Sequence, residues 1–443
     1  MLKFTIFWFR RDLRLEDNAG LFRAVRDGSN VLPLFIFDTQ ILDGIKNRRD
    51  RRVAFIHKEL TEIKRQLNEL GCDLNVYVGK PIDVFKQVTK EFAVENVFTN
   101  HDYEPYARQR DAQVRDFLEG KGIGFHTFKD QVIFEKDEVL TDQKKPYTVF
   151  TPYKKKWLAT LKPEHYGPNK TEAYFKNFAT VAHFSKMPSL KQIGFEEIDF
   201  QFPPKTWSKD ALKNYQQRRD IPSIQNGTSH FGLHLRFGTL SVRALVKQAL
   251  GNSEVWLSEL IWREFFMQIL WHFPKVETRS FRPQYEHIKW RNNAAEFETW
   301  ASGMTGYPLV DAGIRELLQT GHMHNRVRMV VASFLTKHLL IHWYKGERFF
   351  AEHLLDYDLS ANNGNWQWAA GTGCDAAPYF RVFNPTSQIE KFDPDYIYIK
   401  KWVPEWGTKS YPKPMVDHKD ARERALKTYK EGIYSAPDEK ESK

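Results

Sequence analysis

Four short apolar runs in the first third of the chain, Phe4–Phe9, Val31–Phe37, Leu74–Val78 and Val94–Thr99, are separated by stretches of helical spacing at Arg52–Leu70, Ile82–Phe92 and Ala107–Leu118. Strand and helix in alternation predict a parallel, doubly wound sheet, because parallel neighbours need a crossover between them. A dinucleotide fold would place Gly-x-Gly-x-x-Gly after its first strand. This chain has Arg10-Arg11-Asp12-Leu13-Arg14-Leu15-Glu16-Asp17-Asn18 there, so a nucleotide cofactor is expected elsewhere.

After Ser208 the helical period dominates to about Lys345, with no strand signal of similar strength, which predicts an all-α second half. Between the two lies a polar, proline-punctuated stretch that reads as a surface connector. The expected domains are 1–130 (Rossmann-like α/β), 131–205 (connector) and 206–443 (helical). A chain of 443 residues exceeds what one core usually supports. Within the connector, Lys154-Lys155-Lys156 reads as a solvated face.

Lys and Arg outnumber Asp and Glu by 66 to 56, a formal charge of +10, which favours a polyanionic partner through counterion release. Only Cys72 and Cys374 are present, so neither a disulfide framework nor a zinc site is expected. No apolar run is long enough to span a bilayer and Met1–Arg11 is unlike a signal peptide, so a cytoplasmic monomer is expected. Aromatic residues make up 15% of the chain, suited both to core packing and to stacking on bases or a planar cofactor.

Three segments hold candidate chemistry. In Ser258-Glu259-Leu260-Ile261-Trp262-Arg263-Glu264-Phe265-Phe266, helical spacing puts Glu259, Trp262 and Phe266 on one face. Glu259 either pairs with Arg263 at i+4 or, buried beside Trp262, stays protonated and donates to a carbonyl oxygen. A second helix, Met323–Trp343, is apolar nearly all round and is expected at the centre of the helical half. Asn325, Arg328 and Met329 share a face of it, and a buried Arg328 needs an anion, Asp356 or Asp358. The third segment, 356–368, is dense in small polar residues with Trp366 and Trp368, and reads as a ligand-lining loop. Trp290, Trp343 and Trp366 either fill the core or relay an electron.

These stretches resemble the photolyase and cryptochrome family, specifically its class I cyclobutane pyrimidine dimer photolyases. The resemblance runs from Phe7-Trp8-Phe9-Arg10-Arg11-Asp12-Leu13-Arg14 to Lys400-Lys401-Trp402-Val403-Pro404-Glu405. It rests most on Thr305-Gly306-Tyr307-Pro308-Leu309-Val310-Asp311-Ala312, on Met323-His324-Asn325-Arg326 and on Ala361-Asn362-Asn363-Gly364-Asn365-Trp366-Gln367-Trp368. It implies FAD in the helical domain, active as FADH⁻, with Tyr215, Thr228, Ser229 and Leu233 at its phosphates and ribose. Arg328, Asp356, Asp358 and Asn362 would surround the isoalloxazine, with the Asn362 amide donating to flavin N5. Glu259, Trp262, Asn325, Met329 and Trp368 would receive a dimer flipped out of UV-damaged DNA, with Arg219 on a phosphate. Trp366, Trp343 and Trp290 would form the photoreduction relay.

The sequence departs from the family pattern at His322, Gly232 and His234, which bears on local FAD contacts. Tyr106 and Ala107 replace the Asn-Glu pair of folate binders, so a second antenna chromophore, if present, is expected to be a deazaflavin or flavin. The resemblance also admits a (6-4) photolyase, which has His at the positions of Asn325 and Met329, and a light-sensing cryptochrome without repair chemistry. A nucleotide-binding ligase-like protein would leave the helical half unexplained.

Overall fold

The computed structural model describes residues 2–435, and the short charged end, 436–443, lies outside the described residues. The chain forms two compact units. One comprises Met1–Glu138, Ala159–Thr206 and His230–Gly251, the other Val139–Leu158, Trp207–Ser229 and Asn252–Lys443.

The first unit is a five-stranded sheet of order β3-β2-β1-β4-β5, parallel throughout. Its strands are β1 (Phe4–Phe9), β2 (Val31–Asp38), β3 (Asn75–Gly79), β4 (Val94–Asn100) and β5 (Gly124–Phe128). Helices α1 (Ala19–Asp27), α2 (Arg51–Glu69), α3 (Pro81–Glu91) and α4 (Pro105–Glu119) make the crossovers. Asn18 and Asp50 accept from the first N–H groups of α1 and α2, while α3 and α4 open on proline, whose missing N–H costs nothing there. Strand β2 is buried at every position, which is why it reads as a continuous apolar run. Strand β5 is an addition to the expected four. It is an edge strand with no fully buried residue, so it has no such signature.

The switch point between β1 and β4, where a doubly wound fold usually takes its ligand, is closed by the turn that replaces the glycine fingerprint. Arg10 reaches Asp111 at 2.5 Å and also the Asn100 carbonyl. Asn100 Nδ2 donates to Asp12 at 2.6 Å, and Arg11 pairs with Asp102 at 3.2 Å and Glu104 at 2.8 Å.

The stretch 131–205 is not a surface connector. Helix α5 (Phe150–Thr160) buries Phe150, Tyr153 and Trp157, and Trp157 Nε1 donates to buried Glu264 at 2.5 Å in the second unit. Residues Ala159–Thr206 pack into the first unit, where the Ala179 N–H donates to the Val31 carbonyl at 2.9 Å. The segment hid its core side because Lys154 and Lys156, paired with Glu254 and Asp142, occupy the outer face of α5.

The second unit is helical among its described residues. Its main elements are α6 (Glu254–His272), α7 (Pro308–Thr320), α8 (Asn325–Ser333), α9 (Trp343–His353), α10 (Leu359–Ala370) and α11 (His418–Tyr434). The single helix expected over Met323–Trp343 is broken. Helix α8 passes into one π-helical turn at Phe334–His338, Leu340 turns left-handed at φ 50°, and His342 caps α9. A run that is buried on both sides of a break shows no interruption in its hydrophobicity, so the break is invisible in the pattern.

The segment expected as a ligand loop is α10. Asp358 accepts from the Ser360 and Ala361 N–H groups at its start, and Gly371, at φ 87°, stops it. Its polar residues tie it to neighbouring chain: Asn363 Nδ2 donates to Val276 O at 2.8 Å, and Gln367 Nε2 to Arg279 O at 3.1 Å. Two glycines let helices close in. A Cβ at Gly364 would lie 2.1 Å from the Phe266 ring of α6, and one at Gly346 2.2 Å from the Trp366 ring.

Candidate active site

A cavity of about 290 Å³ opens in the helical unit between α6, the start of α8 and α10. It is lined by Arg219, Glu259, Trp262, Asn325, Met329 and Trp368, joined by Arg263, Phe266, Ala361 and Asn365. The five residues assigned to the lesion pocket from sequence thus meet around one space, together with Arg219.

Trp262 forms an aromatic wall fixed from behind. Phe150 stacks on it with ring centroids 3.6 Å apart and planes 8° from parallel, and Phe266 lies 5.4 Å away. Phe150 was missed in the sequence because its helix sat in the supposed connector. Glu259 has a partner that neither sequence reading named: Arg219 Nη1 donates to its Oε1 at 2.5 Å. With a guanidinium as donor, that Oε1 is the acceptor of a charge-assisted bond. The same bond draws Arg219, expected on a DNA phosphate, into the cavity wall. Its guanidinium is held further above its ordinary value by Glu259 and Tyr215, with burial opposing. Arg326 pairs with Asp220 at 2.8 Å.

Arg328 finds the anion its burial required. Its Nη2 donates to both Asp356 oxygens at 3.1 and 3.0 Å, and its Nε to the Met323 carbonyl at 2.6 Å. Asp356 is held below the usual carboxylate range: burial opposes this, but Arg328 and His322 outweigh it. His322 lies 3.5 Å from Glu316, so this departure from the family pattern sits beside a carboxyl of α7. Asn362 Nδ2 donates to Glu347 O at 3.1 Å and Oε1 at 2.9 Å. The amide expected to donate to flavin N5 is therefore engaged by Glu347. Glu347, 1% exposed and pushed by burial up to about 6, is a buried carboxyl the sequence reading missed, since nothing in Gly346-Glu347-Arg348 distinguishes it from a surface pair. Asp358 uses Oδ1 on the α10 cap.

This donor set suits a flavin. An isoalloxazine edge presents N–H and C=O groups side by side, and here the Arg328 Nη1 donor and the Asn362 Oδ1 acceptor have no partner among the described residues. Tyr215, Thr228 and Ser229 belong to the same unit, and Tyr215 is buried beneath the Arg219 guanidinium, 5.1 Å from its ring. Leu233 is buried in the first unit on the short helix Gly232–Phe237. His234 is a satisfied core histidine of that unit, with Nδ1 on Thr239 at 2.8 Å and Nε2 on Pro203 O at 3.0 Å.

Trp366 and Trp343 are both fully buried, and neither indole N–H has a hydrogen-bond partner among the described residues. Trp366 rests on Gly346 of α9, one turn beyond Trp343. Trp290 is partly buried against the same core.

Comparison with known proteins adds to this geometry. The family described as DNA photolyase matches residues 5–172, and that described as the FAD binding domain of DNA photolyase matches residues 256–408. The chain is 37% identical over 459 residues to the deoxyribodipyrimidine photo-lyase of Synechococcus, covering 93% of each. It is 37% identical over 475 residues to that of Escherichia coli, covering 96% of this chain and 98% of the other. Among solved structures, a class III photolyase from Agrobacterium tumefaciens aligns with a TM-score of 0.85 at 32% identity, over 97% of this chain and 98% of that one. A photolyase from Sulfolobus tokodaii with two FAD molecules aligns at 0.82 and 33%, over 97% of this chain and 100% of that one.

Proposed function

Since this chain belongs to the DNA photolyase family and is a deoxyribodipyrimidine photo-lyase that repairs cyclobutane pyrimidine dimers with light, we propose that the cavity between α6, α8 and α10 is where the dimer is split. The observation that supports this reading most is the convergence of Arg219, Glu259, Trp262, Asn325, Met329 and Trp368 on one space from segments spread over 150 residues of sequence.

Leaving the duplex costs a dimer only a few kcal/mol, and Trp262 and Trp368 replace the lost stacking at about 1–3 kcal/mol per base. Glu259 accepts from base N–H groups, while Asn325 both donates and accepts. Arg219 keeps a positive charge beside the pair, where it stabilises the negative charge the dimer gains on receiving an electron. Reduced FAD bound beside the cavity would supply the photoexcited electron that opens the ring. Arg328 with Asp356, and Asn362 with its free Oδ1, would hold the isoalloxazine. A reduced flavin carries hydrogen at N5, which matches an acceptor there.

Trp366, Trp343 and Trp290 are proposed to restore the reduced state of the cofactor. A second chromophore, if bound, is proposed to be a deazaflavin or flavin, because Tyr106 replaces the expected Asn and donates to Asp38 at 2.6 Å. Among the described residues no helix is long and apolar enough to cross a membrane, and the two buried, unpaired thiols accord with a reducing cytoplasm.

Glu259→Ala tests the assignment. It removes the acceptor and frees Arg219, so the quantum yield of dimer splitting is expected to fall several-fold with FAD content unchanged. An unaltered yield contradicts the role.

A further inference from the structure

We infer that His342 is a charge gate in the photoreduction relay: its imidazole stands between Trp343 and Trp290 and lets positive charge pass between them only while it is itself uncharged. The inference rests on the relay proposed above. The His342 ring centroid lies 5.2 Å from that of Trp290 and 5.6 Å from that of Trp343.

The local fold holds the ring there. After the left-handed turn at Leu340, the His342 N–H donates to Asn292 Oδ1 at 2.9 Å, two residues beyond Trp290. His342 Nδ1 then accepts the Tyr344 N–H at 3.1 Å as the N-cap of α9. A nitrogen that accepts carries no proton, so the neutral ring bears its hydrogen at Nε2. Charging the ring requires protonating Nδ1, which breaks the cap and sets a cation at the positive end of an 11-residue helix. Burial also pushes the imidazole below its ordinary value. Of the charged groups facing it, Glu286 opposes this shift and Lys345 adds to it.

Each electron drawn from Trp366 is replaced from Trp343, and that of Trp343 from Trp290. A thiol in solution then reduces Trp290, becoming a thiyl radical as its proton passes to water. During these steps a radical cation resides on each side of His342 in turn. A charged imidazole in contact with both indoles repels it at either position, in a half-buried site where screening is weak. Acid therefore closes the relay at the pH where His342 becomes charged.

The test compares flavin photoreduction in wild-type holoenzyme and His342→Asn with a thiol donor, from about pH 8 to about pH 5. Asn keeps a cap acceptor but cannot be charged. The ratio of the two rates cancels the titration of the thiol itself. Nitrogen NMR of histidine-labelled protein reads the charge of the ring independently of the cofactor. The ratio of wild type to variant should fall about tenfold or more as NMR reports the ring charging, a change of roughly 1.4 kcal/mol in barrier. A constant ratio across that transition overturns the gate. Trp343→Phe separates the two readings: normal photoreduction in that variant would sink the relay itself.

Discussion

Trp366→Phe is expected to reduce light-driven reduction of the oxidised holoenzyme to background, while repair by the chemically reduced variant survives. The indole lies at the head of the proposed relay, 2% exposed, with Phe350 at 4.9 Å and Trp300 at 6.3 Å. Phenylalanine fills most of the space but is far harder to oxidise. The lost ring volume costs roughly 1–3 kcal/mol, well below what would unfold a typical domain. Flavin content and thermal midpoint show whether the fold is intact. The contrast between the two assays is the informative result, because the relay only restores the reduced cofactor and takes no part in splitting. Photoreduction at the wild-type rate would contradict the assignment and turn attention to Trp300, the neighbouring indole in the same core.

Trp262→Ala should weaken dark binding of a dimer-containing oligonucleotide by about 5- to 150-fold, the equivalent of one lost base stack at roughly 1–3 kcal/mol. Binding to the undamaged sequence, which depends on phosphate contacts, should change little. Removing the indole takes away one wall of the cavity and also exposes the face of Phe150 that now lies 3.6 Å from it. Trp262→Phe keeps a ring on Phe150 and should recover most of the affinity. Equal losses for damaged and undamaged DNA would mean that Trp262 only shapes the helix and does not stack on the dimer.

How far the sequence disclosed this molecule depended on where each residue spends its contacts. Strands β1 and β2 were legible because parallel strands covered on both faces are apolar over nearly their whole length, whereas edge strand β5 has no fully buried residue. Helix α5 was lost because its lysines face solvent and its aromatic residues, Phe150 and Trp157, are only a few among prolines. The break between α8 and α9 was hidden inside one unbroken apolar run, and α10 was taken for a loop because its polar residues answer buried carbonyls of a distant turn. Lesion-pocket membership followed from helical spacing and family resemblance together. The state of each group did not. Neither the ion pair that fixes Glu259 as an acceptor nor the Glu347 carboxyl that turns the Asn362 amide can be read from spacing, because both partners come from other elements.

The most direct trial of the account is blue-light illumination of the FAD-loaded, reduced protein with an oligonucleotide holding a single cyclobutane dimer, followed by chromatography of the strand. Restored pyrimidines in the lit sample and an untouched lesion in the dark one are the predicted outcome. Protein that keeps its reduced flavin and grips the lesion, yet leaves it whole after illumination, would contradict the claim that this cavity brings the two together.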